Sequence, residues 1–186
     1  MPWAKIRRRG RLPHWEAQAG IYFVTFRLAD SLPQEALLRI EAEIREAKDS
    51  GSSKTKKLER YLDQGRGACF LARPEIAEIV ATTLRAFDGV RYRLFAWCLM
   101  PNHLHAVLQP HAPFELASIL HSWKSYSAQI ANRALRRKGS FWQREYYDHL
   151  IRDGDELARA ISYTGGNPLK AGLRDWRWVY VSKDWT

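Results

Sequence analysis

Apolar positions along the chain recur with two different periods, and the switches between them mark out the elements. "GIYFVTFRLADS" packs β-branched and aromatic residues between Gly20 and the turn-like Asp30-Ser31, which predicts a strand. In "LPQEALLRIEAEIREAKDSG", Leu37, Leu38, Ile40 and Ile44 fall near helical spacing and Gly51 closes the run, predicting a helix. Residues 50–67 then turn polar and charged, as in a mobile connection. "RPEIAEIVATTLRAFDGV" predicts a second amphipathic helix through Ile76, Ile79, Val80, Leu84 and Phe87, stopped at Gly89. "RYRLFAWCLM" and "HLHAVLQP" predict two strands broken by the turn dipeptide Pro101-Asn102. The longest helix falls on "ELASILHSWKSYSAQIANRALRRKG", with Leu116, Ile119, Leu120, Trp123 and Ile130 as its core stripe. "YYDHLIR" predicts one more strand. Asp155 to Tyr163 predicts a short helix with Leu157, Ala160 and Ile161 on one face, ended by "GGNP".

With the two early helices merged into one crossover, the order is β-α-β-β-α-β plus a final helix. That is the split-βαβ pattern of an α+β, ferredoxin-like sandwich with a mostly antiparallel sheet and flanking helices. The expected layout is one domain over 1–186, with a flexible basic arm over 1–18 and a tail over 174–186.

Composition narrows the function classes. A hydrophobic share of 46% with 12% aromatics excludes a disordered chain. Cys69 and Cys98 are too few for a cysteine-rich zinc cluster or a disulfide framework, so a reducing, cytoplasmic setting is expected. No apolar run approaches the roughly 20 residues that span a bilayer, so no membrane partner is expected. The 30 Lys and Arg against 20 Asp and Glu leave a formal charge of +10, which points to a polyanion. Lys5, Arg7, Arg8, Arg9 and Arg11 stand in the arm. Lys124, Arg133, Arg136, Arg137, Lys138 and Arg144 stand in a stretch from Leu116 to Arg144 without a single acid. Cations track phosphates and aromatic faces stack on unpaired bases, and Trp142, Tyr146 and Tyr147 lie among or beyond these charges. Trp123 and Phe141 read as core.

Candidate chemistry starts at His103 and His105. Side chains at i and i+2 of a strand share a face, so the two imidazoles make a pair of metal ligands. A zinc hydrolase would need a third ligand, and His111, His121 and His149 are the remaining histidines considered for it. Tyrosine is a workable covalent nucleophile. Of Tyr126, Tyr146, Tyr147 and Tyr163, only Tyr163 has a metal-binding polar residue, Asn167, four positions on. Each feature alone has an ordinary reading: surface histidines, a tyrosine on the core rim, an asparagine in a turn. Gly165, Gly166 and Pro168 also disfavour helix through Asn167.

Together, "YFVTFRL", "FAWCLMPNHLHAVLQP", "FWQREYYDHLIRD" and "YTGGNPLKAGL" resemble the single-tyrosine HUH transposases, in particular their REP-associated branch. The resemblance covers most of the chain from Tyr22 to Leu173. It implies that His103, His105 and Asn167 bind Mg²⁺ or Mn²⁺ and that Tyr163 attacks the scissile phosphate of single-stranded DNA. The implied product is a 5′-phosphotyrosine with a free 3′-hydroxyl, which a strand's hydroxyl can later reverse. It further implies imperfect DNA hairpins as substrate, gripped by the arm and by Lys170, Arg174 and Arg177, and a monomer in preference to a dimer. Two other functions compete: a catalytically silent hairpin-binding module on the same basic surface, and a zinc-dependent hydrolase.

Overall fold

The two periods resolve, in a computed structural model, into a twisted sheet covered on both faces by helices. The structure describes residues 5–9, 12–16, 20–32, 61–62 and 65–185. The helix expected after the first strand, and most of the polar connection behind it, lie outside the described residues.

Strands β1 (Lys5–Arg9) and β2 (Leu12–Glu16) pair antiparallel as a separate ribbon. The basic arm expected to be a flexible tail is therefore a hairpin. Its register sets Lys5 opposite Glu16 and Arg9 opposite Leu12. The main sheet contains β3 (Tyr22–Arg27), β4 (Tyr92–Leu99), β5 (His103–Pro110), β6 (Tyr147–Leu150) and β7 (Val179–Val181), in the order β6-β3-β5-β4-β7. Every neighbouring pair is antiparallel. The first four of these strands in chain order reproduce the expected ferredoxin-like arrangement. β7 extends it beyond β4, so the stretch expected to be a tail is the edge of the sheet.

Helices α1 (Pro74–Arg85) and α2 (Leu116–Ala134) cover one face. Ile76, Ala77, Val80, Ala81 and Leu84 bury the inner stripe of α1, whereas Phe87 lies past the helix end, beneath the Arg91 guanidinium at 3.8 Å. On α2 the buried stripe continues through Ser127 and Ala131, not Ile130 as expected. Leu104, Ala106 and Leu108 of β5 face these helices. The residues between them, His103, His105 and Val107, therefore face the other way. On β4 the register shifts between Leu94 and Ala96, and the bulge lets both Phe95 and Ala96 join the opposite face.

That opposite face carries α3 (Gly154–Lys170), which packs Leu157 and Ile161 on Phe23, Phe95, Ala96 and Val107. The expected stop at "GGNP" does not occur: the helix runs straight through it. Pro168 removes one backbone donor, one turn before the end, and the ladder resumes with the Ala171 N–H donating to the Asn167 carbonyl at 3.0 Å. Gly165 serves close packing, because a Cβ there would stand 2.9 Å from Val181 Cγ2 on β7. The true stop is Gly172, with φ +77°. Its N–H donates to the Leu169 carbonyl and that of Leu173 to the Pro168 carbonyl, a Schellman closure.

Candidate active site

The β4–β5 turn and the register of β3 place the histidines. Thr25 lies opposite His105 on β3, and Cys98 opposite it on β4. His103 and His105 are both fully buried, with their Nε2 atoms 3.1 Å apart. Each ring is held from behind: His103 Nδ1 by Asn102 Oδ1 at 2.7 Å, and His105 Nδ1 by the Thr25 hydroxyl at 2.7 Å. Phe23 stacks on His105 with centroids 5.5 Å apart. Burial pushes His105 down to about 3, and burial with the neighbouring His105 holds His103 well below the ordinary imidazole range. Both rings are therefore neutral near pH 7, the form that ligates metals.

Helix α3 brings the third group. Asp153 caps its start by accepting the Glu156 N–H at 2.7 Å. Glu156 in turn accepts from the Arg152 N–H at 2.7 Å and meets His149 Nε2 at 2.8 Å, tying the helix to β6. Burial alone would raise the Glu156 carboxyl, but His149 and Arg152 outweigh it and set it lower. The Tyr163 ring stands edge-on to His105 with centroids 5.5 Å apart, and to Phe23 at 5.8 Å. Lys170, two turns further along the same helix, holds its ammonium 5.3 Å from the Tyr163 ring centre. Asn167 is buried, on the same unbroken helix one turn from Tyr163, and its Nδ2 has no hydrogen-bond partner among the described residues.

The two imidazoles fit a small divalent cation. Ligand atoms at right angles on an ion with bonds of roughly 2.1 Å stand about 3 Å apart, and the two Nε2 atoms already have that spacing. An asparagine amide without a hydrogen-bond partner at its nitrogen end is free to turn its oxygen around. Among the described residues no group of three or more His, Cys, Asp or Glu could hold a metal. His149 is committed to Glu156, and exposed His121 meets Ser125 at 3.4 Å.

The family model for IS200-like transposases matches residues 72–163, a stretch that contains both histidines and ends on Tyr163. Over this stretch the chain matches the IS200-like transposase family. A candidate REP-associated tyrosine transposase of Haemophilus influenzae is 32% identical over 104 residues, covering 50% of this chain and 56% of that protein. A REP-associated tyrosine transposase of Escherichia coli is 24% identical over 95 residues, covering 50% of this chain and 52% of its own length. The chain thus spans about half the length of the curated relatives it matches. A solved REP-associated tyrosine transposase, bound to a REP hairpin, shares the fold with a TM-score of 0.55 at 17% identity, over 92% of this chain and 82% of that one.

In this IS200-like chain the basic residues fall into different settings. Arg7, Arg8 and Arg9 lie on β1, and Arg11 lies outside the described residues. Arg133, Arg136, Lys138 and Arg144 are exposed, and Arg137 is half-buried over the Phe70 ring. The Lys124 ammonium donates to the carbonyls of Gln143 at 2.8 Å and Arg144 at 2.7 Å, tethering α2 to the connection before β6. Burial pushes it down to about 8, with Glu145 partly opposing. It lines a cleft of about 680 Å³ with His121, Arg144 and Tyr146, none of which belongs to the histidine–tyrosine cluster. Trp142 is core, with its indole N–H on the Ser127 hydroxyl at 2.9 Å. Sequence reasoning missed Thr25, Asn102 and Phe23 as partners of the histidines. It had Lys170 only as a phosphate contact, although i+7 from Tyr163 signals a shared helix face.

Proposed function

We propose that this protein is a single-stranded DNA endonuclease and strand transferase acting on hairpin DNA through a 5′-phosphotyrosine intermediate. The observation that carries the reading is the convergence of Tyr163, on an uninterrupted helix, with a pair of neutral, inward-facing histidines on the strand beneath it. The DNA-bound structural relative and the REP-associated sequence relatives support the choice of substrate.

The chain's own residues supply the nucleophile and its surroundings. Tyr163 Oη attacks phosphorus, the P–Oη bond forms, and the P–O3′ bond breaks. The phenolic proton goes to solvent and the departing 3′ oxygen takes one up as a hydroxyl. Lys170 holds its ammonium over the Tyr163 ring, 5.3 Å from its centre, and adds a positive charge beside the nucleophile. Phe23 packs against both the Tyr163 and His105 rings and keeps them in register. His103, His105 and Asn167 would hold a Mg²⁺ or Mn²⁺ ion, which supplies Lewis-acid polarisation of the phosphoryl oxygens when bound. The covalent link keeps the phosphodiester energy, so attack by a 3′-hydroxyl restores the strand without a nucleotide cofactor. Arg133, Arg136, Arg137, Lys138 and Arg144, with Arg7, Arg8, Arg9 and Arg11 of the ribbon segment, contact phosphates of the stem and flank, while Lys124 braces the surface that carries them. Among the described residues no helix is long and apolar enough to cross a membrane.

The test is incubation with an end-labelled DNA hairpin carrying a single-stranded flank, with Mn²⁺, followed by a denaturing gel. Wild-type protein gives a covalent shift. Tyr163→Phe gives none while retaining hairpin affinity. An undiminished shift from Tyr163→Phe would overturn the nucleophile, and wild-type binding without any shift would select the silent hairpin-binding protein instead.

A further inference from the structure

The hydrogen bonds behind the two histidines fix where their protons sit. Asn102 is fully buried and uses both ends of its amide. Its Nδ2 donates to the Arg66 carbonyl at 2.9 Å, an oxygen that only accepts, so the end facing His103 Nδ1 at 2.7 Å is Oδ1. An amide oxygen only accepts as well. His103 therefore carries its proton on Nδ1, and its Nε2 presents a lone pair.

That lone pair lies 3.1 Å from His105 Nε2. Two bare lone pairs at this distance repel, so without a cation His105 carries its proton on Nε2 and donates it to His103. His105 Nδ1 is then the acceptor, and the Thr25 hydroxyl at 2.7 Å donates to it. One directed chain results, from Thr25 through His105, His103 and Asn102 to the Arg66 carbonyl.

A cation held between the two Nε2 atoms requires both to be lone pairs. His103 already meets that condition and His105 does not. His105 must lose its Nε2 proton and take one up on Nδ1, staying neutral, and Nδ1–H then needs an acceptor. A hydroxyl can serve in either direction by rotating, which no apolar side chain at position 25 can do. The register that sets Thr25 opposite His105 makes it the residue able to do so.

We infer that Thr25 is a positioning residue for divalent-cation binding, donating to His105 in the empty site and accepting from it in the loaded one, while Asn102 locks His103 in its ligating tautomer. This rests on the assignment of His103 and His105 as cation ligands. The two histidines are thus inequivalent: one is fixed and one switches.

Long-range ¹H–¹⁵N correlation spectra of histidine-labelled protein read each tautomer directly, without DNA and without turnover. Metal-free wild type should show His103 as Nδ1–H and His105 as Nε2–H. Titration with Mg²⁺ should convert His105 alone to Nδ1–H. Thr25→Ser should reproduce both states, and Thr25→Val should bind Mg²⁺ roughly 10- to 100-fold more weakly, the usual scale for losing such a partner. If Thr25→Val does not fold, the wild-type spectra and Thr25→Ala carry the same test. His105 already Nδ1–H in metal-free wild type, or undiminished Mg²⁺ affinity in the variant, would overturn the inference while leaving adduct formation, and so the proposed function, intact. Wild type that takes up no Mg²⁺ at all overturns this inference together with the proposed metal site, and adduct formation then decides separately whether the tyrosine chemistry stands.

Discussion

The two faces of the sheet are built to different ends. The face under α1 and α2 is a dense aromatic and aliphatic core whose polar atoms are largely spent on one another. The Trp123 indole donates to the Tyr92 hydroxyl at 2.9 Å, and that hydroxyl donates to the Leu84 carbonyl at 2.7 Å, linking α2, β4 and α1. The face under α3 has a small apolar patch of Phe23, Phe95, Ala96, Val107, Leu157 and Ile161. Beside it stand two buried histidines and an asparagine with its amide nitrogen unpartnered. Uncompensated buried polar groups cost stability. Only a fold anchored on its other face can carry them, so stability and chemistry are divided between the two sides of one sheet.

The largest effect should come from breaking the anchoring side. Trp123→Ala removes a fully packed indole and leaves the Tyr92 hydroxyl short of a donor, at a cost of about 3–5 kcal/mol in urea unfolding. The covalent adduct formed per folded molecule should change little. Tyr163→Phe should do the reverse, with no adduct and a stability within about 0.5 kcal/mol of wild type. If both variants moved both readouts together, the division of labour would be wrong.

Acid should strike the α3 face next. His105 is held down to about 3 and His103 well below the ordinary imidazole range, whereas in the unfolded chain both titrate near 6.5. Between those values the unfolded state binds more protons than the folded one, so stability falls as pH drops below about 6.5. For His105 the loss amounts to about 2 kcal/mol by pH 5, and His103 adds to it in the same direction. Urea midpoints at pH 7.5 and pH 5 would show it, and His103→Asn with His105→Asn should flatten the part of the slope that these rings carry.

The joint between the faces gives a smaller, signed effect. Gly165 and Gly166 are adjacent on α3, yet a Cβ at Gly165 would meet Val181 Cγ2 at 2.9 Å while one at Gly166 meets nothing within 4 Å. Gly166→Ala should stabilise by about 0.5–1 kcal/mol through helix propensity. Gly165→Ala should be the less stable of the two by about 1–2 kcal/mol, with Val181→Ala closing the gap. This pair also shows where the sequence was legible and where it was not. The shared face of His103 and His105 follows from strand periodicity alone, and the split-βαβ order follows from alternating periods. The helix through Asn167 does not: in one dimension "GGNP" reads as a stop, and only the nearness of β7 reveals Gly165 as a packing residue. β7, expected to be part of a tail, has only three residues, too few for an alternating pattern to stand out.

The smallest effect separates two cations that look alike in the sequence. Lys124 and Arg144 stand in the same acid-free stretch, yet the Lys124 ammonium is tied to two backbone carbonyls while Arg144 is exposed. A cation that neutralises a phosphate releases a counterion on binding, so its loss lowers the slope of log affinity against log salt by about one. A cation already satisfied inside the protein has no such share. Arg144→Ala should therefore reduce the salt slope of hairpin binding by about one and leave stability within about 0.5 kcal/mol. Lys124→Met should leave the slope unchanged and cost about 1 kcal/mol in stability, because the tether from α2 to two backbone carbonyls is lost. Equal slopes for the two variants would return Lys124 to the DNA-contacting set and erase the distinction between the cations that hold the fold and those that hold the strand.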